Sequence, residues 1–218
     1  MAFLEISNVS KSYKMKENSL LVIDNFSYKA EKGDLIGLQG PSGAGKSTLL
    51  HMIGGLDKPD SGSILFNGEN IYNMKEHELN IYRGTNMGFI FQFHYLLDDF
   101  TALENVMLPM MLHNKNKQEI LKQSELLLEK VGLINRKDHY PKELSGGEQQ
   151  RIAVARALSM NPDIILADEP TGNLDKSNSK LVLDILKEQS EKGVCVIIVT
   201  HDDYIASECS KHITMEKL

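Results

Sequence analysis

Residues 40–48, Gly40-Pro41-Ser42-Gly43-Ala44-Gly45-Lys46-Ser47-Thr48, have the spacing Gly, four residues, Gly, Lys, then Ser or Thr. That spacing builds a phosphate-binding loop. Its glycines let backbone N–H groups turn inward around phosphate oxygens, and the start of the following helix adds partial positive charge. Lys46 would bring a full charge to β- and γ-phosphates, and Ser47 a hydroxyl for Mg²⁺. Four fixed positions match by chance in about one sequence of this length in a hundred, before the flanking elements are considered.

A second group of chemically capable residues closes the apolar run Ile164-Ile165-Leu166-Ala167 with Asp168-Glu169. An acid at the end of a buried strand is where a nucleotide hydrolase holds Mg²⁺. The acid beside it can serve as general base toward a water. A third group is Leu144-Ser145-Gly146-Gly147-Glu148-Gln149-Gln150-Arg151. Ser145 and Glu148 have capping-box spacing, predicting a helix that starts after Ser145 and runs to Asn161-Pro162. Paired glycines are poor helix formers, so their presence at a helix start points to a second anion-binding end. Two such ends serving one nucleotide can come from two chains, which predicts a symmetric dimer.

The elements that must carry these groups are visible as pattern. Continuous apolar runs precede each one: Leu35 to Leu38 before the glycine loop, Ile164 to Ala167 before the acids, and Val194 to Val199 before Thr200-His201. Uniformly apolar strands belong to a parallel sheet covered on both faces. Phe26, Tyr28 and Ala30 alternate at period two, and Ile64-Leu65-Phe66 runs into the hairpin pair Asn67-Gly68. An antiparallel patch is expected near the N-terminus. Between about 93 and 160 the pattern is helical, with Leu121, Leu126, Leu127, Leu128 and Val131 in one stretch and Ile152, Ala155 and Leu158 in another. The expected organisation is a single α/β domain. Residues 1–92 and 161–218 form the core with its β-subdomain, and 93–160 an inserted helical subdomain.

Composition narrows the function classes. The 218 residues are 41% hydrophobic and 25% charged, with 24 Lys plus Arg against 30 Asp plus Glu for a net charge of -6. This is a globular composition with room for one large domain. An acidic chain lacks the broad basic surface that nucleic-acid binding needs, so no nucleic-acid partner is expected. Two cysteines, Cys195 and Cys209, are too few for a thiolate metal site and read as packing residues. No run approaches the roughly 18 apolar residues of a membrane span, and the alternating N-terminus does not have the pattern of a signal peptide. A cytoplasmic location is expected.

With these groups in hand, the chain resembles the ATP-binding cassette (ABC) ATPases over nearly its whole length. The resemblance rests on the loop at 40–48, Gln92 after Phe89-Ile90-Phe91, the stretch 144–151, the acidic strand at 164–169, Asn173-Leu174-Asp175, and His201. It implies a P-loop fold of ABC type that binds ATP and Mg²⁺ and hydrolyses the ATP. By resemblance Glu169 is the catalytic base, Gln92 contacts Mg²⁺ and the attacking water, and His201 touches the γ-phosphate. Asp168 and Ser47 serve the metal, Tyr13 stacks on adenine, and Asp175 signals across a homodimer formed on ATP binding. Ser145 and Gly147 bind the γ-phosphate of ATP held by the partner chain.

The absence of heptads, zinc modules and a second cassette sets the chain apart from chromosome-maintenance, excision-repair and translation relatives. The resemblance therefore fits best a transporter subunit with a separate membrane partner, with a nucleic-acid-linked ABC ATPase that has no membrane partner as the alternative from another class. Gly54-Gly55-Leu56-Asp57-Lys58-Pro59 and residues 93–106 look like the lipoprotein-releasing ATPases, with the macrolide exporters and the cell-division cassette as neighbours. The resemblance departs at Tyr95, where His is expected, and at Asp98, where Pro is expected. It implies a peripheral subunit at the cytoplasmic face of the inner membrane. The membrane partner is expected to dock near residues 93–111, where Leu97 and Met107 are expected contacts among flexible methionines.

Overall fold

A computed structural model of the chain describes residues 2–15, 18–113, 116–172 and 174–218. The elements in chain order are β1 (Leu4–Met15), β2 (Asn18–Ala30), β3 (Leu35–Gln39), α1 (Lys46–Ile53), β4 (Ser61–Phe66), β5 (Glu69–Asn70), α2 (Glu76–Ile81) and β6 (Met87–Ile90). They continue with α3 (Ala102–Met111), α4 (Lys117–Lys130), α5 (Gly146–Leu158), β7 (Ile164–Asp168), α6 (Lys176–Glu191), β8 (Cys195–Val199), α7 (Asp203–Ser207) and β9 (Lys211–Thr214). Two sheets form. One is antiparallel in the order β2-β1-β4-β5, and the other is parallel in the order β6-β7-β8-β3-β9.

The apolar runs make the central strands because both faces of the parallel sheet are covered. Ile36, Leu38, Ile164, Leu166, Cys195, Ile197 and Val199 point into one core with α1 and the antiparallel sheet. Their alternating neighbours Leu35, Ile165, Ala167, Val196 and Ile198 point into a second core with α3, α5 and α6. This is period-two alternation with apolar residues on both phases. The hairpin joining β4 to β5 turns at Asn67 (φ 51) and Gly68 (φ 86), the left-handed pair of a type I′ turn.

Helix α5 begins as its capping box dictates: Ser145 Oγ accepts from Glu148 N at 3.3 Å, and Glu148 Oε2 accepts from Ser145 N at 2.8 Å. It ends at Leu158, earlier than the expected Asn161-Pro162, because Ser159 N closes back on Arg156 O and Asn161 turns left-handed at φ 51. In α4 the buried positions are Ile120, Ser124 and Leu128, whereas Leu121 and Leu126 face outward. Residues 93–101 are not helical. Buried Asn105 holds the end of this segment, accepting from Leu97 N and donating to the carbonyls of Leu97, Phe100 and Thr101.

The expectation that Met107 lies on a docking surface is corrected here. Met107 is 8% exposed and packs with Met110 and Ile120. The outward residues at this end of α3 are Met111 and Leu112. Cys195 and Cys209 are free, buried thiols, and burial pushes Cys195 up to about 12 and Cys209 up to about 11. Both remain protonated packing groups, as their surroundings predict.

Candidate active site

Because the strands are parallel, their C-terminal ends deliver their loops to one edge of the sheet. Leu38 of β3 and Asp168 of β7 both pair with Val199 of the intervening β8. The glycine loop, the acid pair and His201 follow from these three strands. A cavity of about 400 Å³ at this edge is lined by Ser42, Gly43, Gly45, Lys46, Ser47, Thr48, Gln92, Asp168, Glu169 and His201, with Tyr13, Leu20, Val22 and Val199 completing its wall.

The loop is shaped by close backbone approach. A Cβ on Gly40 (φ 150) would lie 2.3 Å from the Met215 carbonyl, and one on Gly45 (φ 86) would lie 2.9 Å from that of Val22. Helix α1 starts from Gly45 with no side-chain cap hydrogen bond among the described residues, which leaves its first N–H groups for an anion. Lys46 is 6% exposed, and its Nζ donates to the carbonyls of Gly40 at 2.8 Å and Pro41 at 2.9 Å. Gly40, Pro41 and Ala44 are outside the cavity lining; Ala44 is buried in the core and donates its N–H to Pro41 O.

Glu169 is held in a conformation that disfavours a side chain, with φ 47. Such a residue costs about 1–3 kcal/mol and persists when its surroundings over-determine it. Its N–H donates to Val199 O at 3.0 Å, and its own carbonyl accepts from Gly172 N. Oε2 accepts weakly from His201 N at 3.4 Å, while Nε2 of His201 lies 3.3 Å from Oε1 without making a hydrogen bond. Oε1 is buried and has no hydrogen-bond partner among the described residues. An orphaned, buried carboxylate oxygen in a phosphate cavity is poised to accept a proton from a bound molecule.

Burial is the largest influence on this carboxyl and raises its pKa above the ordinary 4.5, against the opposing pull of His201. Since a general base must be ionised, ATPase kcat/KM should fall as pH drops through a midpoint above 4.5. The pH profile of the purified chain tests this. The limb should be absent from the residual activity of Glu169→Gln, and a Glu169-dependent midpoint at or below 4.5 would contradict the burial argument.

Tyr13 sits on β1 directly opposite Leu20 on β2, and both reach the cavity. The Tyr13 hydroxyl donates to Asp57 Oδ2 at 2.6 Å, and Lys11 Nζ donates to Oδ1 of the same carboxylate at 2.6 Å. Leu20, Val22 and the orienting Asp57 are contributions that motif spacing does not disclose. Their signal is cross-strand register and a contact between distant segments.

Ser145 and Gly147 are outside this cavity. They lie at the start of α5, with Ser145 exposed and Gly147 facing Leu174 and Asn178. Asp175 is also outside the cavity and caps α6. Hydrogen bonds from the backbone and side chains of Ser177 and Asn178 hold its carboxyl down to about 2. Asn173 lies outside the described residues.

Comparison with known proteins agrees with this geometry. The family model described as ABC transporter matches residues 23–172. The lipoprotein-releasing system ATP-binding protein LolD of Syntrophus aciditrophicus is 44% identical over 211 residues, covering 96% of this chain and 95% of that protein. An uncharacterised ABC transporter ATP-binding protein of Methanocaldococcus jannaschii, MJ1508, is 46% identical over 97% of this chain and 95% of its own length. Among solved structures, the ATP-binding cassette MJ0796, dimeric in a post-hydrolysis state with ADP and Pi, superposes with a TM-score of 0.93 at 36% identity. It covers 98% of this chain and 96% of that one.

Proposed function

The chain belongs to the ABC transporter family and is an ATP-binding, ATP-hydrolysing subunit, and on that premise we propose that it powers a separate membrane protein of the lipoprotein-releasing type. The observation that carries the ATPase part of the reading is the convergence of Lys46, Ser47, Gln92, Asp168, Glu169 and His201 on one cavity. The lipoprotein-release assignment is supported by relatives of that name, including a second at 46% identity over 91% of the chain, from Buchnera aphidicola. Among the described residues no helix is long and apolar enough to cross a membrane. In this reading the chain works peripherally at the cytoplasmic face of the inner membrane.

In this mechanism the phosphates of ATP lie in the 40–48 loop, and Lys46 exchanges the Gly40 and Pro41 carbonyls for phosphate oxygens. Tyr13 and Leu20 offer the base a flat apolar platform. The Ser47 hydroxyl, the Gln92 carboxamide and the Asp168 carboxylate are hard oxygen donors in the same cavity, a set that fits Mg²⁺ and would hold it. When bound, Mg²⁺ offsets charge that develops on the transferring phosphoryl group. Glu169 accepts the proton of a water oriented by Gln92, and His201 contacts the γ-phosphate from beside Oε1.

Because Ser145 and Gly147 are outside their own chain's cavity, they would complete the site of a second copy. ATP would thereby close a homodimer. A groove of about 310 Å³ near the Gln92 segment, walled by Phe91, Leu108, Pro109, Leu112 and Arg156, would receive a cytoplasmic helix of the membrane partner. Leu112 is 73% exposed.

Co-purification from detergent-solubilised membranes tests the reading, with a stoichiometric polytopic protein as the expected result. Leu112→Glu places a carboxylate in the groove, and Leu97→Glu places one at an exposed leucine outside the groove lining but within the 93–111 segment. Each costs on the order of a few kcal/mol if the partner covers it. Both should lose the partner while the isolated subunits keep their ATPase rate. Unchanged co-purification of folded variants would overturn the docking assignment.

A further inference from the structure

Gln150 is a polar residue that the cavity does not use. It lies one helical turn beyond Gly146 on α5 and is 2% exposed, so its amide must find partners inside the protein. Nε2 donates to Pro170 O at 3.0 Å and, more weakly, to Phe91 O at 3.5 Å. The opposite amide orientation would set an oxygen against those carbonyls. Oε1 is therefore the acceptor facing His94 Nδ1, and His94 donates from that nitrogen. The other ring nitrogen, Nε2, lies 3.9 Å from the point where a Cβ on Gly146 would be.

One buried amide thus joins three pieces of chain. Pro170 is the residue after Glu169, Phe91 is the residue before Gln92, and α5 carries Ser145 and Gly147 at its start. Glu169 is left-handed and needs anchors on both sides. Its N–H is fixed to Val199 O of β8, and the next carbonyl along the chain is fixed by Gln150. The segment after Gln92 is held to the same helix a second time, since Arg156 donates to the carbonyls of His94 and Tyr95 at 2.8 and 2.7 Å. Gly146 and Gln150 are one turn apart on the same helix and His94 lies beside both, so a displacement of the helix start is carried to Gln150 and His94 together.

We propose that Gln150 is a positioning residue that sets the placement of Glu169 and Gln92 according to the position of the α5 start, linking each chain's hydrolytic geometry to the occupancy of its partner's ATP site. This rests on the reading of Glu169 as general base and of Ser145–Gly147 as a contact across the dimer. The amide itself touches neither nucleotide nor water.

Gln150→Leu keeps the size of the side chain and removes every hydrogen bond of the amide. In the purified full-length chain it should lower kcat for ATP hydrolysis about 10- to 10²-fold, the scale of a roughly 1 Å misplacement of a reacting group. The affinity for a fluorescent ATP analogue should stay within twofold of wild type. When Gln150→Leu is combined with Glu169→Gln, ATP-driven dimerisation on gel filtration should persist. A purely structural role would instead weaken binding along with turnover. Gln150→Glu retains the acceptor toward His94 and loses the donor to Pro170 O, so it should show the same split between kcat and affinity. Turnover within twofold of wild type in folded Gln150→Leu would overturn the proposal, as would failure of both variants to fold and bind nucleotide. Absence of ATPase activity in the wild-type chain would instead overturn the functional reading on which the proposal stands.

Discussion

Glu169→Gln should bind Mg²⁺ and ATP as the wild type does while turning ATP over about 10²- to 10⁴-fold more slowly, the contribution of a positioned general base. The amide fills the same space but cannot accept the proton of the attacking water. Binding survives because Lys46, Ser47 and the loop N–H groups contact the ground state, whereas the carboxylate is used as the bond to phosphorus forms. Single-turnover hydrolysis compared with equilibrium binding of a fluorescent nucleotide separates the two. With ATP present, the same variant should also shift from monomer to dimer on gel filtration, since the closed state is no longer consumed. Near wild-type turnover would remove Glu169 from the role of base.

Lys46→Ala should fail earlier in the cycle. A hydrogen bond to a charged group is worth about 1.5–3 kcal/mol, and 1.4 kcal/mol is a tenfold change in affinity. Loss of the ammonium should therefore weaken ATP binding on the order of 10- to 10²-fold. In the ligand-free protein the same ammonium caps two loop carbonyls beneath the cavity. The thermal midpoint without nucleotide should drop only modestly, and the stabilisation that ATP confers on wild type should be largely lost. Nucleotide titration followed by fluorescence and by thermal denaturation measures both. Unaltered affinity would mean that the phosphates bind elsewhere than in the 40–48 loop.

The local part of this protein was legible without coordinates because each piece is encoded within a short span. Glycine spacing, a capping box, an Asn67-Gly68 turn and three apolar runs each depend on neighbours in sequence, and the structure contains all of them. The resemblance to the ABC ATPases rested on the same short motifs, and the family and fold followed. Periodicity was less informative where an element contacts more than one surroundings. Met107 and Met111 sit four residues apart on α3, one turned into a packed cluster and the other outward. No property of a methionine distinguishes them.

Tertiary structure decided which residues share a volume. Four strand ends that lie far apart in the chain converge because parallel strands send their following loops to the same edge, and this brings Gln92, Asp168, Glu169 and His201 to the loop of Lys46. It also leaves Ser145 and Gly147 outside, although their spacing alone could have placed them in the same site. The Asp57 contact to Tyr13, the left-handed backbone at Glu169 and the triple attachment of Gln150 have no signature along the chain. Each depends on which distant segments the sheets bring within reach, and for Gln150, 2% exposed, burial removes water and obliges the amide to take its partners from them.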